Sequence, residues 1–141
     1  MGCPYEAHFT PPESMKPNAL LTITSLLSIL LMTLHVTDDI RRGLSPPGAD
    51  NVFGVVIFVV WLFGTLALAE RRWGYVLMLL GGLFAAAMPV LHMTGARYVA
   101  IAKSSGGFFF VWTLLAVGVL GSFSAILSAR ALWVLRSGKP R

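Results

Sequence analysis

The stretch TLHVTDDIRRG, Thr33 to Gly43, puts His35, Asp38, Asp39, Arg41 and Arg42 at the end of an otherwise apolar run. Imidazole and carboxylate are ligands for transition-metal ions and partners in proton relays, so these residues can do chemistry. Of the three histidines in the chain, a second, His92, closes another apolar run. His35 comes about 17 residues and His92 about 19 residues after the start of its run. At ~1.5 Å of helical rise per residue, both reach one depth.

Three chemistries are open to such a pair. Two imidazoles can supply both axial ligands of a b-type haem, with Arg41, Arg97 or Lys103 near its propionates. Alternatively, His35 and His92 with Asp38 or Asp39 supply nitrogen and oxygen ligands to a transition metal such as copper. Met32 and Met88, one turn deeper, would then add thioethers suited to Cu(I). A histidine beside carboxylates can also relay protons in a quinone-binding protein or a carrier. Each has a plainer counterpart: a histidine bonded to a backbone carbonyl or to Asp39, helical ion pairs of Asp38 or Asp39 with Arg42, and methionines that fill gaps.

The elements that must position these groups follow from composition. Of the 141 residues, 56% are hydrophobic and 12% charged, where a soluble domain has about a quarter charged. The polar residues fall into short stretches that leave four runs long enough to cross a hydrocarbon core of about 30 Å. The fold expected is all-α, an integral membrane four-helix bundle running up-down-up-down, with spans at about 18–37, 52–69, 73–93 and 107–135. An irregular N-terminal tail, 1–17, holds four of the eight prolines, and a basic C-terminal tail covers 136–141. The tail's Gly2 and Cys3 fit no acylation signal, since Glu6 stands where myristoylation needs Ser or Thr. Met15 before Lys16 is an alternative start, and the first span, with no small-residue cleavage site, reads as retained.

With four spans, Lys16, Arg71, Arg72, Arg130, Arg136, Lys139 and Arg141 share one side, and Arg41, Arg42, Arg97 and Lys103 the other. Seven against four places both termini in the cytoplasm, in what is expected to be a bacterial inner membrane, with the His/Asp cluster on the outer rim. Helical spacing gives the first span an inward face of Ser25, Ser28, Met32, His35 and Asp39. The third has Gly74, Met78, Gly81, Ala85, Met88 and His92. The fourth carries a small-residue seam of Gly121, Ala125 and Ala129, with Gly118 and Ser122 beside it. The second is plainer, interrupted only by Gly54, Gly64 and Thr65.

Two loops read as structural. Arg71, Arg72 and Trp73 form a lipid-interface clamp, and Trp112 sits in the opposite aromatic belt. In KSSGGFFFVW, Ser104 or Ser105 is expected to cap the last helix, and the glycines to permit a tight approach. The basic residues lie at the ends of apolar runs, which argues against nucleic acid as a partner, and one cysteine excludes dithiol chemistry. No nucleophile with a positioned base points to an enzyme. The size and span count resemble small multidrug transporters, but the embedded glutamate of that family has no counterpart here, since the first span has no acid before Asp38. The two histidines resemble, in helix count and depth alone, membrane-anchor subunits that share a b haem.

The expectation is therefore a small membrane protein with a His/Asp site at its outer rim, acting as a homo-oligomer or an accessory subunit of a membrane complex. The alternatives are a haem or copper protein built on His35 and His92, and a small-molecule or proton carrier.

Overall fold

The computed structural model describes residues 17–44, 48–94 and 96–137, and among these the chain is all-helical. The tail to Lys16, with its alternative start, and the basic end from 138 lie outside the described residues. Five helices run Pro17–Arg41 (α1), Ala49–Leu66 (α2), Arg72–His92 (α3), Ala96–Ala102 (α4) and Gly107–Arg136 (α5). Of these, α1, α3 and α5 are long and apolar enough to cross a membrane, and α2 is a shorter apolar helix.

Several boundaries differ from the sequence reading. Pro17, expected in the tail, opens α1, where a missing N–H costs nothing. α1 continues past Thr37 to Arg41, so Asp38 and Asp39 are helical. α2 starts and stops three residues before the expected 52–69, its end marked by a turn in which Glu70 takes a left-handed φ of 66°. The short α4, which the sequence reading placed in a loop, carries Tyr98 toward the bundle end.

The four long helices form a ring in which each packs on its chain neighbours and α5 closes against α1, leaving α1 and α3 to meet more sparingly across the diagonal. α3 and α5 are in the most extensive contact, because glycines let their backbones touch. A Cβ on Gly82 would stand 2.8 Å from the Ala125 backbone nitrogen, and one on Gly121 2.6 Å from the Ala85 Cβ. Gly118 accommodates the Pro89 ring, and Gly81 the Trp61 indole.

The predicted inward faces of α1 and α3 are buried as far as Asp39 and Met88. On α5 the seam departs from expectation after Ala125: Ser124 and Ser128 face inward, while Ala129 is exposed. Small hydroxyl side chains share the interior with an apolar core, and large apolar side chains cover much of the outside. Ser25, bonded to Thr65 at 2.8 Å and accepting from the Trp61 indole at 2.9 Å, ties α1 to α2 in mid-bundle. At one end, Asn18 donates to Glu70 at 2.8 Å and accepts from the Tyr75 hydroxyl at 3.0 Å. Phe53, Leu80, Val119 and Ile126 are each more than half exposed.

Gly121→Val is expected to lower stability in detergent by about 1–3 kcal/mol, since the new side chain meets packed backbone on α3. Gly54, with nothing within 4 Å, is the control: Gly54→Ala should be neutral or stabilising by up to about 1 kcal/mol. Thermal unfolding of both variants in one detergent checks the pair, and equal effects would refute the backbone-contact reading.

Candidate metal centre

Because α1 runs unbroken to Arg41, His35 and Asp39 stand one turn apart on its inward face. His92, the last residue of α3, approaches them from across the diagonal. His35 is 0% exposed and Asp39 8%, while His92 is partly open. The Asp39 Oδ2 lies 3.4 Å from Nε2 of His92 and 3.9 Å from Nε2 of His35. One ligand atom from each of the three residues lies within 4.8 Å of the others.

The hydrogen bonds around this group restrict what can occupy it. Nδ1 of His92 donates to the Met88 carbonyl at 3.2 Å, because a carbonyl can only accept. Nε2 of a neutral His92 therefore turns a lone pair toward the Asp39 carboxylate. Two lone pairs at 3.4 Å repel unless a proton or a metal cation lies between them. Neither ring nitrogen of His35 nor Oδ1 of Asp39 has a hydrogen-bond partner among the described residues. An unbonded buried polar group costs about 1–3 kcal/mol, so an unbonded Nε2 of His35 beside the Asp39 carboxylate calls for an occupant between them.

The neighbours hold the geometry. The His35 ring packs 4.9 Å from the Phe110 ring and 5.2 Å, edge to face, from the His92 ring. Asp38, the other candidate acid, is not in the group: it accepts from Nε of Arg42 at 2.6 Å. The same guanidinium donates to the Ser104 hydroxyl at 3.1 Å and lies 5.9 Å over Phe110, which ties the end of α1 to α5. Gly106, at a left-handed φ of 77°, leaves Arg42 its space. Gly106 is also the α5 N-cap in place of Ser104 or Ser105, because the Ser104 hydroxyl donates to the Ile101 carbonyl at 2.6 Å.

Met32 and Met88 belong to the apolar cluster directly beneath, with Phe110, Leu114 and Val117. Trp73 and Trp112 are exposed, as are Arg71 and Arg72. The Arg97 side chain lies outside the described residues, and Lys103 is exposed. Sequence reasoning missed Phe110, Tyr98 and the reach of Arg42 across the bundle. None of these carries a local signal, since each acts through a partner more than fifty residues away in the chain or on an unforeseen helix.

No known family, curated protein or solved structure matches this chain. The chemistry must be read from the site itself. Axial imidazoles of a haem stand on opposite sides of the macrocycle, whereas these rings meet edge to face, which does not fit the b-haem alternative. Two imidazoles and one carboxylate do fit a single ion. Ligands about 2.0–2.2 Å from a tetrahedral cation lie roughly 3.4 Å apart, so one of the two nitrogen–carboxylate separations already matches and the other must close by about half an ångström.

His35→Leu should leave the metal-free protein as stable as wild type or about 1 kcal/mol more stable, because it removes two unbonded buried nitrogens. A thermal melt in chelator checks this. A loss above about 2 kcal/mol would identify His35 as a structural hydrogen-bonding residue.

Proposed function

We propose that this chain is an integral membrane protein that holds a first-row transition-metal ion between His35, Asp39 and His92 at the outward end of its bundle. Both termini then lie in the cytoplasm of a bacterial inner membrane, on the side with the larger number of basic residues. What supports insertion is the length and apolarity of α1, α3 and α5 and the many large apolar side chains exposed on the outside of the bundle. What carries the metal reading is the gap between Asp39 and the two imidazoles, with both His35 nitrogens buried and unbonded. The donor set suits Zn(II), Cu(II), Co(II) or Fe(II), and the bond from His92 to the Met88 carbonyl is the outer-shell contact that orients a ligating ring.

Two other readings have specific observations behind them. A proton could occupy the same gap, in a relay or carrier. Against this, the Met32, Met88, Leu114 and Val117 cluster separates the site from the mid-bundle hydroxyls. Association with a second copy or another membrane subunit would use α2, which keeps Phe53, Val55, Val59 and Phe63 more than half exposed. The glycine seams that first suggested association are occupied within the chain. Native mass spectrometry from gentle detergent giving only monomer would remove the association reading.

Elemental analysis of detergent-purified protein, expressed with metals supplied, tests the main proposal. One equivalent of metal is expected in wild type and none in His35→Ala, Asp39→Asn or His92→Ala. Metal at a hundredfold excess over its dissociation constant should raise stability by about 2.7 kcal/mol in wild type alone. Metal-free wild type whose melting ignores zinc, copper and cobalt would assign the gap to a proton.

A further inference from the structure

Beside the site lies a cavity of about 240 Å³, walled by Asp39, His92, Thr94 and Tyr98 on its polar side and by residues that include Phe110 and Ile101 on its apolar side. Resting on the metal reading, we propose that the ion keeps an exchangeable fourth position facing this cavity. That position takes water, hydroxide or a small inorganic anion.

Three observations converge on this. Among the described histidine, cysteine, aspartate and glutamate side chains, three ligands come together here and no fourth, whereas a structural zinc site closes its coordination with four protein ligands. Asp39 and His92 form part of the cavity wall while His35 is not among its lining residues, so the ion sits at the inner end with its remaining position toward the open space. The space far exceeds the roughly 15 Å³ that one water needs.

Charge selects the class of ligand. Asp38 is neutralised by Arg42, so a divalent ion with Asp39 as its one carboxylate ligand leaves the centre with a net +1. A small anion completes neutrality at a centre whose ligands His35 and Asp39 are buried, where an uncompensated charge is costly. Thr94 and Tyr98 place hydroxyl-bearing side chains in the wall that such a ligand would meet. The metal is therefore one that presents a bound solvent molecule or anion to something arriving from the outer surface, unlike a metal that clips helices together.

The test uses the full-length protein loaded with Co(II), whose visible bands report coordination, titrated with azide. Wild type should shift its bands saturably. Thr94→Trp, which fills the cavity from an exposed position, should keep one equivalent of Co(II) and lose the shift. Failure to bind Co(II) at all would sink the metal reading and this inference with it. Stoichiometric Co(II) with bands indifferent to azide would leave the metal reading standing and overturn the open position. A Thr94→Trp protein that responds as wild type does would overturn the route through the cavity.

Discussion

The backbone-to-backbone contact of α3 and α5 is the constraint from which the His/Asp end is built. Gly82 and Gly121 bring the two helices close enough that a methyl group on either would strike the other helix. The helices are antiparallel, so positions that climb equally far from the seam meet at one height. His92 stands ten residues beyond Gly82, and Phe110 eleven residues before Gly121. Both distances are about 15–17 Å of helix, which delivers the α3 imidazole and the α5 phenyl ring against His35. A wider seam would separate the three rings and take the walls from the cavity.

The rest of the interior shows how this fold treats polar groups that it has no chemical use for. Ser25, Thr65 and Trp61 satisfy one another, and Thr24, Ser28, Thr33 and Thr113 turn their hydroxyls back to carbonyls of their own helices. Asn18, Glu70 and Tyr75 close the opposite end with side-chain bonds across three segments. Against that background, the unbonded nitrogens of His35 stand apart. Ser124 and Ser128 also lack partners among the described residues, but a hydroxyl is a weaker demand than an imidazole with neither nitrogen bonded beside a carboxylate. The helices that bond most of their buried hydroxyls leave a gap where three ligating groups meet.

Much of this was legible in the residues and their spacing. The repeat of small and hydroxyl residues at helical intervals identified the buried faces of α1 and α3, because the requirement for close approach is local to one helix. Depth counting brought His35 and His92 to one level for the same reason. What spacing could not show is anything set by contacts between distant segments. Asp38 and Asp39 are each compatible with Arg42 by spacing, and only the position of α5 decides that Arg42 leans toward Ser104 and takes Asp38 with it. Trp61 lies in the plain second span with no local signal of its own, yet Gly81 on α3 opens a slot for its indole and Ser25 receives its N–H. Ala129 broke the small-residue pattern because α5 turns its serine face, not its alanine face, toward the core in the last turns.

The division between the adjacent carboxylates is then a matter of helix geometry. Successive residues on an α-helix point about 100° apart, so if Asp39 faces α3 and its histidine, Asp38 must face another side of the bundle. That side is where Arg42, one turn on, reaches the α4–α5 loop. Asp38 therefore fixes the end of α1 against α5 and has its charge cancelled there, while Asp39 keeps its charge for the gap between the imidazoles. Had both acids faced the gap, two carboxylates would have neutralised a divalent ion and removed its attraction for an outside anion. Had both faced Arg42, the imidazoles would have had nothing to hold a cation against. The single-residue offset between two identical side chains leaves the site one negative charge short of neutrality once an ion is bound, and that net positive charge is what would draw a ligand into the cavity.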